Sequence, residues 1–307
     1  MTGKRLHGVM PVLVSPMRED GSPDEAGFGK LIEHIYADPD APIPGLWVLG
    51  STGENFMMSF DHRVEVARIV SDHAGGKARL LVGCGDAVLS EVLRFFEATA
   101  SMAIDGYHCL PTDRKLSASA TVAYWKAVAD RAPKPLWLYS NPARALEPEV
   151  QAVAELSHHP NVVGMKVGGF DLRTIAPIVA LDSSDFQVLG AGGSNHLAYL
   201  GMGVTCTTMS TACTLPWHFA EVHTRWTRGD LEGARAMSRW LSAFVKEWPA
   251  RHNTEAAAEE KAVLELMGVC QRWVYPPFEP LDETRMAQMR AVLEKYGILT
   301  PAGTMTG

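Results

Sequence analysis

A single lysine stands where lysines are rarely found. Lys166 lies in Val162-Val163-Gly164-Met165-Lys166-Val167, a run that is otherwise apolar. If this run is a strand covered on both faces, the ammonium has no easy route to water. Burial then disfavours the charged form and leaves a nucleophilic amine. Such an amine suits Schiff-base chemistry on a carbonyl compound. A lysine that snorkels out at the strand end is the plainer alternative. Tyr139 closes the preceding apolar run, Leu136-Trp137-Leu138-Tyr139. Were the two runs adjacent strands, its phenol would reach Lys166 and carry protons to and from a carbonyl oxygen. Otherwise the ring simply fills space. Arg144 follows in the next loop, where a guanidinium suits bidentate capture of a carboxylate, unless it is merely solvated at the surface.

A second group is Gly50-Ser51-Thr52-Gly53-Glu54-Asn55. The glycines let backbone approach a ligand. The N–H groups there, with the Ser51 and Thr52 hydroxyls, can hold a small anion such as a carboxylate. A simple glycine-rich turn is the competing reading, and Glu54 is placed to orient the loop rather than to act as a base. Nothing points to a metal or an organic cofactor. The histidines are scattered, the adjacent pair His158-His159 lies at a helix end, and no strand-like run carries His-x-His. The five cysteines form no Cys-x-x-Cys pair and read as buried free thiols in a reducing cytoplasm.

These residues need a scaffold, and the chain supplies a regular one. Eight short apolar runs, at 8–15, 46–50, 79–83, 106–110, 135–139, 162–167, 187–190 and 203–208, are rich in Val, Leu, Trp and Tyr. Amphipathic stretches at 24–36, 59–73, 89–101, 117–131, 147–157, 172–181, 195–201 and 212–228 alternate with them. Asp24, Ser59, Ser117 and Asp171 are placed to cap helices. The pattern predicts a (β/α)8 TIM barrel over residues 1–229, whose active site lies at the carboxyl ends of the strands. An open doubly wound sheet would need a phosphate-binding turn after its first strand, and Val14-Ser15-Pro16-Met17 is not one. From Asp230 the strand signal stops. Helices over 230–249, 256–273 and 282–296 predict a C-terminal three-helix appendage packed on the barrel, within 230–307.

Composition narrows the partners. With 28 basic and 35 acidic residues the net charge is −7, which offers no basic surplus for nucleic acid or an acidic membrane. No apolar stretch of roughly 18 residues is present, so no membrane span is expected. The first ten residues lack the apolar core of a signal peptide, which points to the cytoplasm.

Taken in order, Gly50-Ser51-Thr52-Gly53-Glu54, then Tyr139 with Pro142 and Arg144, then Gly164-Met165-Lys166, resemble the dihydrodipicolinate synthase / N-acetylneuraminate lyase family. The likeness extends to Gly8-Val9-Met10-Pro11 and to Lys261 followed by Tyr275–Pro280. It implies that Lys166 forms a Schiff base with pyruvate or another 2-oxo acid and that Tyr139 relays protons. Ser51 and Thr52 would hold the carboxylate, Ser51 also passing protons. Arg144 matches the arginine that the synthase branch places near its second substrate, aspartate semialdehyde. Other implied activities are sugar-acid or hydroxy-oxo-acid aldolases and dehydratases; a rival of a different class, a barrel that binds a 2-oxo acid without turnover, is opposed by the joint presence of Lys166, Tyr139 and Arg144. The resemblance also implies a small aldehyde partner and a homo-oligomer, tetramer or dimer. One departure stands out. Synthases carry two adjacent tyrosines after the strand 4 proline, whereas Pro111 is followed by Thr112-Asp113-Arg114-Lys115.

Overall fold

The computed structural model describes residues 5–111, 117–141, 148–168, 171–249 and 257–300. Its strands are β1 Gly8–Pro11, β2 Gly45–Val48, β3 Arg79–Gly83, β4 Gly106–Cys109, β5 Leu136–Ser140, β6 Val162–Val167, β7 Gln187–Ala191 and β8 Cys206–Met209. All neighbouring pairs are parallel, and β8 returns to β1 with Gly8 opposite Cys206. The ring closes between β1 and β2, where Val12 bridges to Trp47 and the Leu13 N–H donates to the Trp47 carbonyl at 2.9 Å. The architecture is therefore the expected (β/α)8 barrel. Its strands read as continuous apolar runs because both of their faces are covered. Met10, Val12, Trp47, Leu81, Trp137 and Leu189 meet inside the barrel. Outward residues such as Leu46, Val48, Leu80 and Val82 join Phe28 and Val66 of the surrounding helices. Gly164 is needed for this filling, since a Cβ there would collide with the Trp137 indole.

The helices that follow the strands are α1 Glu25–Ile35, α2 Phe60–Ala74, α3 Leu89–Thr99, α4 Ala118–Ala129, α5 Val150–Leu156, α6 Leu172–Val179, α7 His196–Gly201 and α8 Pro216–Thr227. Ser59, Ser117 and Asp171 cap α2, α4 and α6, each accepting a backbone N–H from the first turn. Asp24 departs from expectation. It makes no side-chain cap on α1; its own N–H donates instead to the Pro16 carbonyl at 2.9 Å. The expected helix over 212–228 begins later, after a 3₁₀ turn at Thr211–Cys213. Pro216, lacking an N–H, fits a first helical turn and not an interior.

Three further helices follow: α9 Leu231–Lys246, α10 Ala258–Leu266 and α11 Glu283–Lys295. α10 is shorter than its periodicity predicts. Gly268, at φ 76°, reverses the chain, and the Val269 N–H returns to the Leu264 carbonyl at 2.9 Å. Val9 and Met209 of the barrel share one apolar cluster with Leu241, Phe244, Val263 and Met289 of these helices. Among the described residues no helix is long and apolar enough to cross a membrane.

Candidate active site

The pairing of β5 with β6 sets Tyr139 directly opposite Lys166. Both side chains point into the barrel near its carboxyl end, and both are buried, at 5% and 4% exposure. The amine nitrogen lies 4.5 Å from the centroid of the Tyr139 ring. Burial pushes the Lys166 pKa below its ordinary value, and the facing Tyr139 only partly opposes this. Burial acts on the phenol in the other direction. The Lys166 charge, with hydrogen bonds involving Ser51, Asn141 and Lys166, outweighs it and leaves Tyr139 below its ordinary value. Both groups are thus shifted down together, which leaves the amine easier to deprotonate and the phenol easier to ionise than in water.

The 50–53 turn reaches the same point from β2. Asn141, just past β5, donates its Nδ2 N–H to both Ser51 Oγ and the Tyr139 hydroxyl, each at 3.4 Å. The backbone N–H groups of Ser51 and Thr52 have no hydrogen-bond partner among the described residues. Two donors at the mouth of a barrel, flanked by hydroxyls, form a cradle for a small anion. The turn is held in a demanding conformation. Leu49 and Glu54, neither of them glycine, sit at φ 54° and 62° on either side of it.

What enforces that conformation is the far end of the chain. Glu54 is fully buried and pairs with the equally buried Lys261 of α10 at 2.6 Å. Its second oxygen accepts the Tyr275 N–H at 2.8 Å, and Lys261 donates to the Trp273 carbonyl at 2.8 Å. On the other side Ser15 Oγ donates to the Gly53 carbonyl at 2.8 Å. Glu54 thus orients the loop and is not available as a base.

The structure brings Lys166, Tyr139, Ser51, Thr52 and Gly50 to one end of the barrel. Arg144 and Pro142 lie outside the described residues. Three residues that the sequence did not single out also belong here. Asn141 bridges Ser51 and Tyr139. The Trp47 indole lies 4.9 Å from the Lys166 nitrogen, and His108 stacks on it with centroids 4.0 Å apart. The available signal was Trp47 itself, a large aromatic in the middle of β2. No group of three or more His, Cys, Asp or Glu among the described residues could hold a metal ion.

An amine, a phenol and two backbone donors gathered at the carboxyl-end face of a (β/α)8 barrel make a candidate site suited to carbonyl chemistry. The comparisons carry this further. Residues 5–296 match the model of the dihydrodipicolinate synthetase family, and the chain belongs to that family of lyases. The 4-hydroxy-tetrahydrodipicolinate synthase of Acidiphilium cryptum is 30% identical over 296 residues, which is 96% of this chain and 99% of the relative. Dihydrodipicolinate synthase from Bacteroides thetaiotaomicron has the same fold, with a TM-score of 0.87 at 22% identity over 94% of this chain and 98% of that one. N-acetylneuraminate lyase from Mycoplasma synoviae also shares it, with a TM-score of 0.83 at 21% identity over 95% and 98%.

Proposed function

We propose that the chain joins Lys166 to pyruvate as a Schiff base and adds the resulting enamine to an aldehyde. Its particular reaction is that of a dihydrodipicolinate synthase, with aspartate semialdehyde as the aldehyde. The observation that carries the reading is the register of β5 on β6, which sets a buried phenol against a buried amine. The neutral amine attacks the ketone carbon. Tyr139, linked to Ser51 and Asn141, supplies and removes the protons that the carbonyl oxygen needs as water leaves. The Ser51 and Thr52 donors hold the 2-oxo acid carboxylate, and Gly50 lets the substrate come close. Arg144 keeps the role that the resemblance gives it, beside the carboxylate of the second substrate. The named relatives support the synthase assignment.

Borohydride reduction in the presence of pyruvate, followed by peptide mass mapping, tests the shared step. The expected product is one adduct, on Lys166, absent from Lys166→Ala. No adduct, or one that survives this change, refutes it. A second reading keeps the pyruvate step and changes the aldehyde, because Thr112 and Asp113 follow Pro111 where synthases carry two tyrosines. Pyruvate consumption with another aldehyde, and none with aspartate semialdehyde, would decide for it. We also propose a homo-oligomer, which sedimentation velocity checks directly.

A further inference from the structure

The Schiff-base step creates a positive charge at one atom, and the surroundings of that atom are unusual. In the proposed reaction the Nζ lone pair attacks the ketone carbon, and the C=O pair moves to oxygen, which takes a proton. Nitrogen gives up a proton to form the neutral carbinolamine. A second proton on the hydroxyl lets it depart as water, and Nζ is left with one hydrogen, a double bond to carbon and a positive charge. A neutral amine thus becomes a cation inside the barrel, and stays one until loss of a proton from the adjoining carbon returns the electron pair to nitrogen as the enamine. Among the described residues no carboxylate faces it; the one in the adjoining loop, Glu54, is committed to Lys261.

What does face it is aromatic. Nζ lies 4.9 Å from the Trp47 ring centroid and 4.5 Å from that of Tyr139, and the two rings meet edge to face at 5.5 Å. Both distances fall within the range in which a ring face attracts a cation, and Trp is the strongest such face. Trp47 is fully buried, so this attraction is not diluted by water. His108 lies against the indole, nearly parallel at 16°. Its Nε2 must carry the hydrogen, because its partner at 2.8 Å is the Val48 carbonyl, which can only accept. Burial drives the His108 pKa down to about 3, so the ring is neutral and does not repel the nearby nitrogen. The site for this imidazole is carved by Gly83, where a Cβ would sit 2.8 Å from His108 Cε1.

We propose that Trp47 is an electrostatic platform for the iminium charge on Lys166, and that His108 is the positioning residue that holds the indole in place. The inference rests on the Schiff-base reading. Among the described residues the titratable groups facing Nζ are Tyr139 from β5 and His108 from β4, while β7 offers Leu189 and β2 offers Trp47.

The test is borohydride trapping with pyruvate, read as initial rate and as yield against pH. In Trp47→Leu the amine loses a group that favours its charged form. The rising limb of the rate profile should then move about one pH unit lower. On the alkaline plateau, where the free amine is neutral, the imine yield at non-saturating pyruvate should fall about tenfold. Trp47→Tyr and Trp47→Phe should give smaller shifts, in that order, and they carry the test if Trp47→Leu does not fold. His108→Leu should shift the limb in the same direction, and adding it to Trp47→Leu should change little. An adduct whose limb stays in place in every Trp47 variant overturns the inference alone, even where yield falls, because lost packing lowers yield without moving a pKa. Absence of any adduct in the unaltered chain overturns the Schiff-base reading itself.

Discussion

Glu54→Gln is the sharpest probe of how the anion cradle is held. The substitution keeps the shape of the side chain and an acceptor for the Tyr275 N–H. It removes the only carboxylate among the described residues paired with Lys261, whose side chain is 0% exposed and which then keeps the Trp273 carbonyl at 2.8 Å. Leaving a buried charge unpaired costs about 3–5 kcal/mol. An unfolding entropy of about 2 cal/mol/K per residue gives roughly 0.6 kcal/mol/K for a chain of this length. A loss of about 4 kcal/mol therefore lowers Tm by about 6 °C. Differential scanning calorimetry measures this directly. Lys261→Met alone should also destabilise, because Glu54 would keep only a neutral N–H. The double variant should lose less than the two singles together, with a coupling of about 2 kcal/mol. Glu54→Gln within about 1 kcal/mol of the unaltered chain, or strict additivity in the cycle, would refute the account of the pair as the clamp on this turn.

Three other outcomes follow from the same geometry. Tyr139→Phe, which removes the hydroxyl that Asn141 bonds at 3.4 Å, should lower kcat by about 10²- to 10⁴-fold with the fold intact, and an unchanged kcat argues against the relay. His108 and His196 have pKa values pushed down by burial to about 3, against 6.5 when unfolded. The unfolded chain binds protons first, so stability is whole above pH 6.5 and falls as pH drops toward 3. At pH 5 each histidine costs about 2 kcal/mol, which urea midpoints at pH 7 and pH 5 should show and which His108→Leu should reduce. Gly83→Ala should destabilise by about 3 kcal/mol, because its Cβ meets His108 and, closer still, the Leu49 carbonyl; a urea midpoint unchanged from the parent would count against the packing described.

The sequence showed its strands well because a barrel strand is covered on both faces and so reads as an apolar run. Lys166 stood out for the same reason, as a charge in the interior of such a run. Helix ends were less legible. Gly268 and Pro216 decide two of them, and whether a glycine turns a chain or a proline opens a helix depends on the packing around it. Asp24 has the right chemistry for a cap, yet its backbone is tied to Pro16 instead. The aromatic lining of the site was the hardest to see. Trp47 and His108 are sixty-one positions apart and meet only because β2 and β4 curve to the same lumen, across a β3 that offers Gly83 between them. Glu54 was legible as a residue that orients its loop, but its partner, two hundred positions away, was not derivable from spacing.

Among the described residues no carboxylate faces Nζ, which bears on what the site can accept. Under the proposed reaction Nζ is a cation at the iminium stage, and the described residues around it are a phenol, an indole and a neutral imidazole. Ring faces attenuate the cost of that charge but do not cancel it, since a desolvated cation–π contact is worth about 2 kcal/mol while an unpaired buried charge costs several. In the proposed reaction the substrate itself would supply the anion. A 2-oxo acid brings its carboxylate on the carbon next to the one that Nζ would attack, and the N–H groups of Ser51 and Thr52, without a partner among the described residues, would hold it there. A ketone or aldehyde without that carboxylate would form its iminium with no counter-charge. On the proposed reaction, the site that is strained at Leu49 and Glu54 around those two donors would therefore select for a 2-oxo acid at the step where charge appears, and not merely at binding.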